Sequence, residues 1–436
     1  MRGETLSLDQ FRAALQKGQG RAWLHVREHG GEGEVRQEVL NACLHNLTYD
    51  PQCEGSRVEW LLSLVDLTGV LHFYERRILE ALPEAKEFWD ADQLVELAAA
   101  FARRGSDAAR RALYEILRQK AFPESLAAEQ LVELDGLEGF LHVAEALGDR
   151  MLEDPDLWEN DSLLCEVSER FGEEEVLRAL RERAARSAGA EAYLEEVLEY
   201  RREREEEEEE GAERPAVSLR DILEEIDSPG EPAWYKLARF GQRCSEDERE
   251  TVFARLLWET RRESLLRCLW VFGMRGVPQL DDRLLDLAQS EDLDIQRAAL
   301  SALGGLRHPG VRDLMLRLLA SSPPVPPGAL RLLGSNYEPG DGAFIESVLR
   351  RPGDQGEIHT RGLDLLHAAD TVKDPELAGC LYWVYEETPC SLCRYSAVAA
   401  LLDRGCDCSE LFEECLHDCE EDTQSLAEEA LKRDRP

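Results

Sequence analysis

Residues 291–304 read Glu-Asp-Leu-Asp-Ile-Gln-Arg-Ala-Ala-Leu-Ser-Ala-Leu-Gly, and this stretch decides the fold class. An acidic pair precedes the first apolar residue, where a carboxylate can accept from the unbonded N–H groups of a helix start. Ile295, Ala298, Ala299, Ala302 and Leu303 recur at helical spacing, and Gly304 marks a stop. The unit is a short amphipathic helix with small residues on its packing face. Such a helix cannot bury that face alone.

The same ending recurs on either side. Arg267-Cys-Leu-Trp-Val-Phe-Gly273 precedes it, and Pro327-Gly-Ala-Leu-Arg-Leu-Leu-Gly334 follows. Looser copies lie at Arg361 to Leu366, at Arg394 to Leu402 and at Ala427 to Leu431. The three glycines are 31 and 30 residues apart, about one helix pair per repeat. Other segments carry the same helix grammar. Strand alternation is missing, and Leu, Ala, Glu and Arg fill most positions. The periodicity predicts helices over 7–16, 33–45, 57–68, 70–82, 91–103, 107–119, 124–134, 137–147, 156–170, 173–187 and 190–204. It predicts further helices over 218–226, 232–241, 245–259, 262–273, 280–289, 293–304, 309–320, 326–334, 341–350, 357–368, 374–386, 391–404, 409–418 and 422–433. The fold expected is all-α, an α-α superhelix of stacked helix pairs.

Asp294-Ile-Gln-Arg-Ala-Ala-Leu-Ser-Ala-Leu-Gly304 resembles the second helix of the HEAT-repeat family. That pattern runs Asp, Val-Arg, two small positions, then Leu-Gly. Gln296 is inserted here between the aliphatic residue and the arginine. Val35-Arg36 and Ala109-Arg110 are fainter echoes. The likeness is good over 260–335 and 390–432 and weak over 1–200. It implies a solenoid scaffold that binds protein partners. Some HEAT-like families are implied to act as DNA glycosylases or bilin lyases. On this reading Arg297 is expected to hold one repeat against the next, by binding Asp side chains or carbonyls of the adjacent turn.

The 436 residues exceed one ordinary core, and the formal net charge is −39. Three parts are expected: a helical segment 1–200, an acidic linker 201–216 containing Glu205 to Glu210, and a repeat segment 217–436. A surface this negative repels phosphate backbones and anionic membranes, and suits a partner with a basic or amphipathic segment. This speaks against a glycosylase-like groove; the alternatives to a scaffold are a HEAT-fold enzyme, bilin-lyase-like or glycosylase-like, and, more weakly, an acidic nucleic-acid mimic. No apolar run can cross a bilayer, so a cytoplasmic location with reduced thiols is expected.

No catalytic or cofactor motif appears, so no residue is assigned a catalytic, cofactor-binding or metal role. The nearest candidate is the cysteine-rich end. Seven of the twelve cysteines fall between 380 and 419, and Cys390-Ser-Leu-Cys393 has metal or redox spacing. If helix 409–418 runs back antiparallel, Cys415 and Cys419 approach that pair and complete a four-cysteine zinc site. The competing reading makes these cysteines small core residues. Trp234, Trp258, Trp270 and Trp383 are expected to pack between helices, with one or two available as partner anchors.

Overall fold

A computed structural model describes residues 5–119, 126–154, 156–210, 217–230, 233–321, 324–406 and 408–433. Among these, every regular element is a helix. The chain divides into two compact units, Met1–Arg214 and Pro215–Pro436.

The first unit is built around two long helices, Ala128–Glu153 and Ala188–Glu210, which pack on each other. Their crossing is set by glycines. A Cβ on Gly148 would lie 1.7 Å from the Gly189 carbonyl oxygen, so the backbones meet where no side chain intervenes. The first of these helices merges the segments expected over 124–134 and 137–147. Gly136, at φ 59° and ψ −131°, breaks the helical dihedrals between them.

The expected linker begins too early. Residues 201–210 continue the Ala188–Glu210 helix. Arg201 and Arg204 both grip Asp161, at 2.8 and 2.9 Å, and Arg201 also reaches Glu173 at 2.6 Å. Those ion pairs offset the like-charge repulsion that argued for solvated chain. Residues 211–216 lie outside the described residues, and the boundary between units falls among them.

In the second unit, helices expected from the pattern appear with small shifts. Pro309–Ala320 coincides with its expected span. The helix Leu293–Leu303 is capped by Asp292, whose carboxylate accepts from the amides of Asp294 and Ile295. Alternate helices pack on one another. Arg262–Phe272 contacts Trp234–Arg243 and Leu293–Leu303, and Gln355–Ala369 contacts Ser391–Asp403, which in turn contacts Glu421–Arg433. One expected helix, 326–334, is mostly absent. A 3-10 turn, Leu330–Leu332, and the short helix Leu333–Asn336 stand there instead. Pro326 and Pro327 lack amide donors, and Gly328 sits at φ +92°. Its amide is instead held by Asp364 at 2.6 Å.

The helix Gly20–His29 lies outside the spans that the pattern predicts. No helix among the described residues is long and apolar enough to cross a membrane.

Candidate functional site

Two features of the second unit gather side chains with chemistry. The first is a groove of about 720 Å³. Its lining repeats along neighbouring helices. Glu263, Leu266, Arg267 and Trp270 line it from one helix; Asp294, Arg297, Ala298 and Ser301 line it from the next. Each set follows helical i, i+3, i+4, i+7 spacing, and each residue has its counterpart 31 positions on. Gly328, Arg331, Leu363 and Asp364 extend the lining.

This correspondence corrects the reading of Arg297. It stands in register with Leu266, while Ala298 stands in register with Arg267. Arg267 is 2% exposed and donates to the carbonyls of Glu225, Ser228 and Gly230, closing the end of the helix Leu219–Asp227. Arg297, one position earlier, points about 100° away on the helix. It is exposed and has no hydrogen-bond or ion-pair partner among the described residues. The task expected of it belongs to Arg262. That guanidinium reaches across to Asp292 at 2.5 Å and Asp294 at 2.7 Å, joining neighbouring helices. Both aspartates hold the Arg262 proton, and its pKa lies above the ordinary value.

The remaining groove charges divide in the same way. Arg331 pairs with buried Asp364 at 2.7 Å. Burial still raises the Asp364 pKa, against the pull of Arg331 and the Gly328 amide. Glu263, like Arg297, is exposed without a partner among the described residues. The groove therefore offers one unneutralised cation, one unneutralised carboxylate and the half-buried face of Trp270.

The tryptophans separate. Trp383 is buried beneath Arg361, whose guanidinium carbon lies 5.7 Å from the ring centroid. Trp258 is 83% and Trp234 64% exposed, contrary to the interhelical packing expected of them. On the Glu246–Trp258 helix the buried positions are Val252, Phe253 and Leu256. Trp258 falls two residues past that stripe, on the opposite face.

The second feature is a cluster of His359, Cys390 and Cys393. One ligand atom from each lies within 4.8 Å of the other two. Cys390 occupies the N-cap of the helix Ser391–Asp403, and Cys393 lies in its first turn. His359 comes from the neighbouring helix Gln355–Ala369. Gly362 sets their approach: a Cβ there would meet the Thr388 methyl at 2.5 Å, two residues before Cys390. Arg394, next to Cys393, is fully buried and pairs with buried Asp418 at 3.3 Å. Burial opposes its charge, but Asp418 and the groups beside it prevail, so its pKa is raised.

The four-cysteine expectation is thus redrawn. Cys390 and Cys393 come together, but Cys415 and Cys419 are not members of the group, and His359 is. Cys415 is wholly buried, and desolvation pushes its thiol pKa well up, as a core residue requires. None of the twelve cysteines is in a disulfide. Sequence reasoning passed over His359 because it stands in no local motif. The usable signal was the repeat: Arg361 and Arg394 are equivalent, and His359 and Cys393 lie just before them.

Comparison with known proteins adds nothing to this site. No protein family matches the chain, and no curated protein does. A crystal structure of an engineered protein aligns over 97% of this chain and 98% of its own at 15% identity, with a TM-score of 0.20. That score carries no argument about fold or function.

Proposed function

We propose that the chain is a non-enzymatic interaction scaffold, a HEAT-like solenoid of helix pairs whose second-unit groove receives an amphipathic segment of a protein partner. The observation that supports this is the groove lining. Trp270, Leu266 and Leu363 provide an apolar floor, and Arg297 and Glu263 keep charges that no partner among the described residues consumes. Aromatic and arginine side chains are the usual anchors of protein interfaces. The formal charge of −39 steers a segment of net positive charge. Helical stacking supports the solenoid reading, since each pair leaves an apolar face that only its neighbour covers. A cytoplasmic setting agrees with twelve cysteines outside disulfides.

The test is a comparison of captured partners. The full chain, Trp270→Ala and Arg297→Glu are each used as bait at low and high salt. A basic or amphipathic protein retained by the parent chain, lost from both variants and weakened by salt supports the groove. A partner set made of nucleic acid or acidic proteins, or one that both variants retain, overturns it.

A further inference from the structure

We propose that His359, Cys390 and Cys393 form a zinc site with three protein ligands and an open fourth position. Two thiolates and an imidazole suit a borderline-soft divalent ion. In a tetrahedral zinc centre the bonds are about 2.3 Å to sulfur and about 2.0 Å to nitrogen, so donor atoms stand roughly 3.5–3.8 Å apart. The three atoms here already lie within 4.8 Å of one another. Closing on an ion asks for a contraction of about 1.3 Å at most, within reach of two thiol rotations and a ring tilt.

The setting is built before any ion arrives. The spacing of Cys390 and Cys393 puts one sulfur at the N-cap and the other in the first turn, where the helix end favours negative charge. Gly362 lets Thr388 seat directly on the His359 helix. The Thr388 hydroxyl donates to the Val384 carbonyl at 2.7 Å, fixing the segment that leads into Cys390. Arg394 and Asp418 anchor the turn that carries Cys393. The two cysteines are 6% and 4% exposed, while His359 is half-buried, so the cluster opens towards solvent on the imidazole side. No fourth His, Cys, Asp or Glu among the described residues joins the group. A water or an outside donor therefore completes the tetrahedron. Binding releases the two thiol protons to solvent. His359 directly precedes Thr360, which lines the groove, but the site stands or falls apart from any partner bound there.

The experiment uses the full chain, reduced with a non-ligating phosphine, and Co2+ as the probe. One equivalent is expected to give thiolate-to-cobalt charge transfer and the strong visible absorption of tetrahedral cobalt, both bleached by Zn2+. Cys390→Ser, Cys393→Ser and His359→Gln should each weaken Co2+ binding by about 100-fold or more. Cys415→Ser and Cys419→Ser should leave the spectrum intact. Added imidazole should shift the visible bands by entering the fourth position. If His359→Gln does not fold, His359→Cys tests the same place: it should keep tetrahedral binding and strengthen the charge-transfer band. A weak octahedral spectrum, a spectrum surviving the Cys390→Ser/Cys393→Ser double substitution, or one lost in Cys419→Ser overturns the assignment. Bands that ignore imidazole overturn the open position.

Discussion

Arg267 and Arg297 open two copies of one sequence motif, yet one is sealed in the fold and the other stands exposed in the groove. The difference is a single residue of register. Arg267 follows Leu266, and its guanidinium closes carbonyls at the end of a preceding helix. Arg361 and Arg394 behave alike: Arg361 donates to the carbonyls of Val348, Leu349 and Arg351, and Arg394 meets Pro389 and Asp418. Arg297 stands at the position of Leu266, one residue earlier on its helix, and is exposed. A charge that the fold consumes serves stability, whereas a charge that the fold leaves alone is available for recognition. Such a contrast can be broken at several points.

The largest effect should follow from Asp418→Asn. The substitution leaves the Arg394 guanidinium buried without a counter-charge, and removing one partner of a buried pair costs about 3–5 kcal/mol. A fall of less than about 1 kcal/mol in urea denaturation would show that Arg394 is solvated or held by its carbonyl contact alone. Next comes Arg267→Ala. It strands the helix-end carbonyls of Glu225 and Ser228 and opens a cavity, for a loss of about 2–4 kcal/mol. If its melting temperature matches the parent, the distinction between Arg267 and Arg297 collapses.

Carboxylates offer the same contrast with opposite signs in pH. Glu259, in the second unit, is 5% exposed. It accepts from the amides of Thr260 and Arg261 and from Arg255, which outweigh burial and bring its pKa from 4.5 to about 2. Its folded pKa is depressed, so its contribution is present above about pH 4.5 and is lost as pH falls towards 2. Asp92, in the first unit, has no such donors among the described residues. Burial, then Glu96 and Glu129, raise its pKa from 3.8 to about 6. Its raised value means that stability declines as pH climbs through that interval. Glu259→Gln should therefore cost about 2 kcal/mol at neutral pH and flatten the acid limb. Asp92→Asn should add roughly 1 kcal/mol at neutral pH and nothing near pH 3.5. Unfolding followed across pH for both variants checks the signs, and equal slopes would contradict the pairing assigned to Glu259.

Much of this architecture was readable in the chain, because helix signals act over a few residues. Asp292 at its cap and the stripe from Ile295 to Leu303 needed no long-range knowledge. The failures share a cause in packing between helices. The motif predicts for Arg297 the role that Arg262 fills, because the copies match in letters while the arginine differs by one residue in helical phase. Trp258 was placed in the core by residue type, though its helical phase points away. The third motif copy matched in letters but starts with two prolines and a left-handed glycine, so only a 3-10 turn and a four-residue helix formed. His359 joined Cys390 and Cys393 across two helices, a proximity that no local spacing encodes.

The smallest effect on stability, and the most informative, belongs to Arg297→Ala. The side chain is exposed and forms no bond among the described residues, so its removal should change stability by no more than about 0.5 kcal/mol. Partner capture, by contrast, should fall by about tenfold or more, as expected for loss of an arginine anchor. The two measurements pull apart the readings of this motif. An arginine that holds repeats together would lower the melting temperature and weaken binding only as the fold loosens. An arginine that faces a partner would weaken binding at an unchanged melting temperature. Arg262→Ala supplies the control, because its forks to Asp292 and Asp294 should make it the more destabilising of the two. If Arg297→Ala proves the less stable variant, then the one-residue slip against Arg267 does not leave the guanidinium facing outward in solution, and the groove loses its unpaired cation.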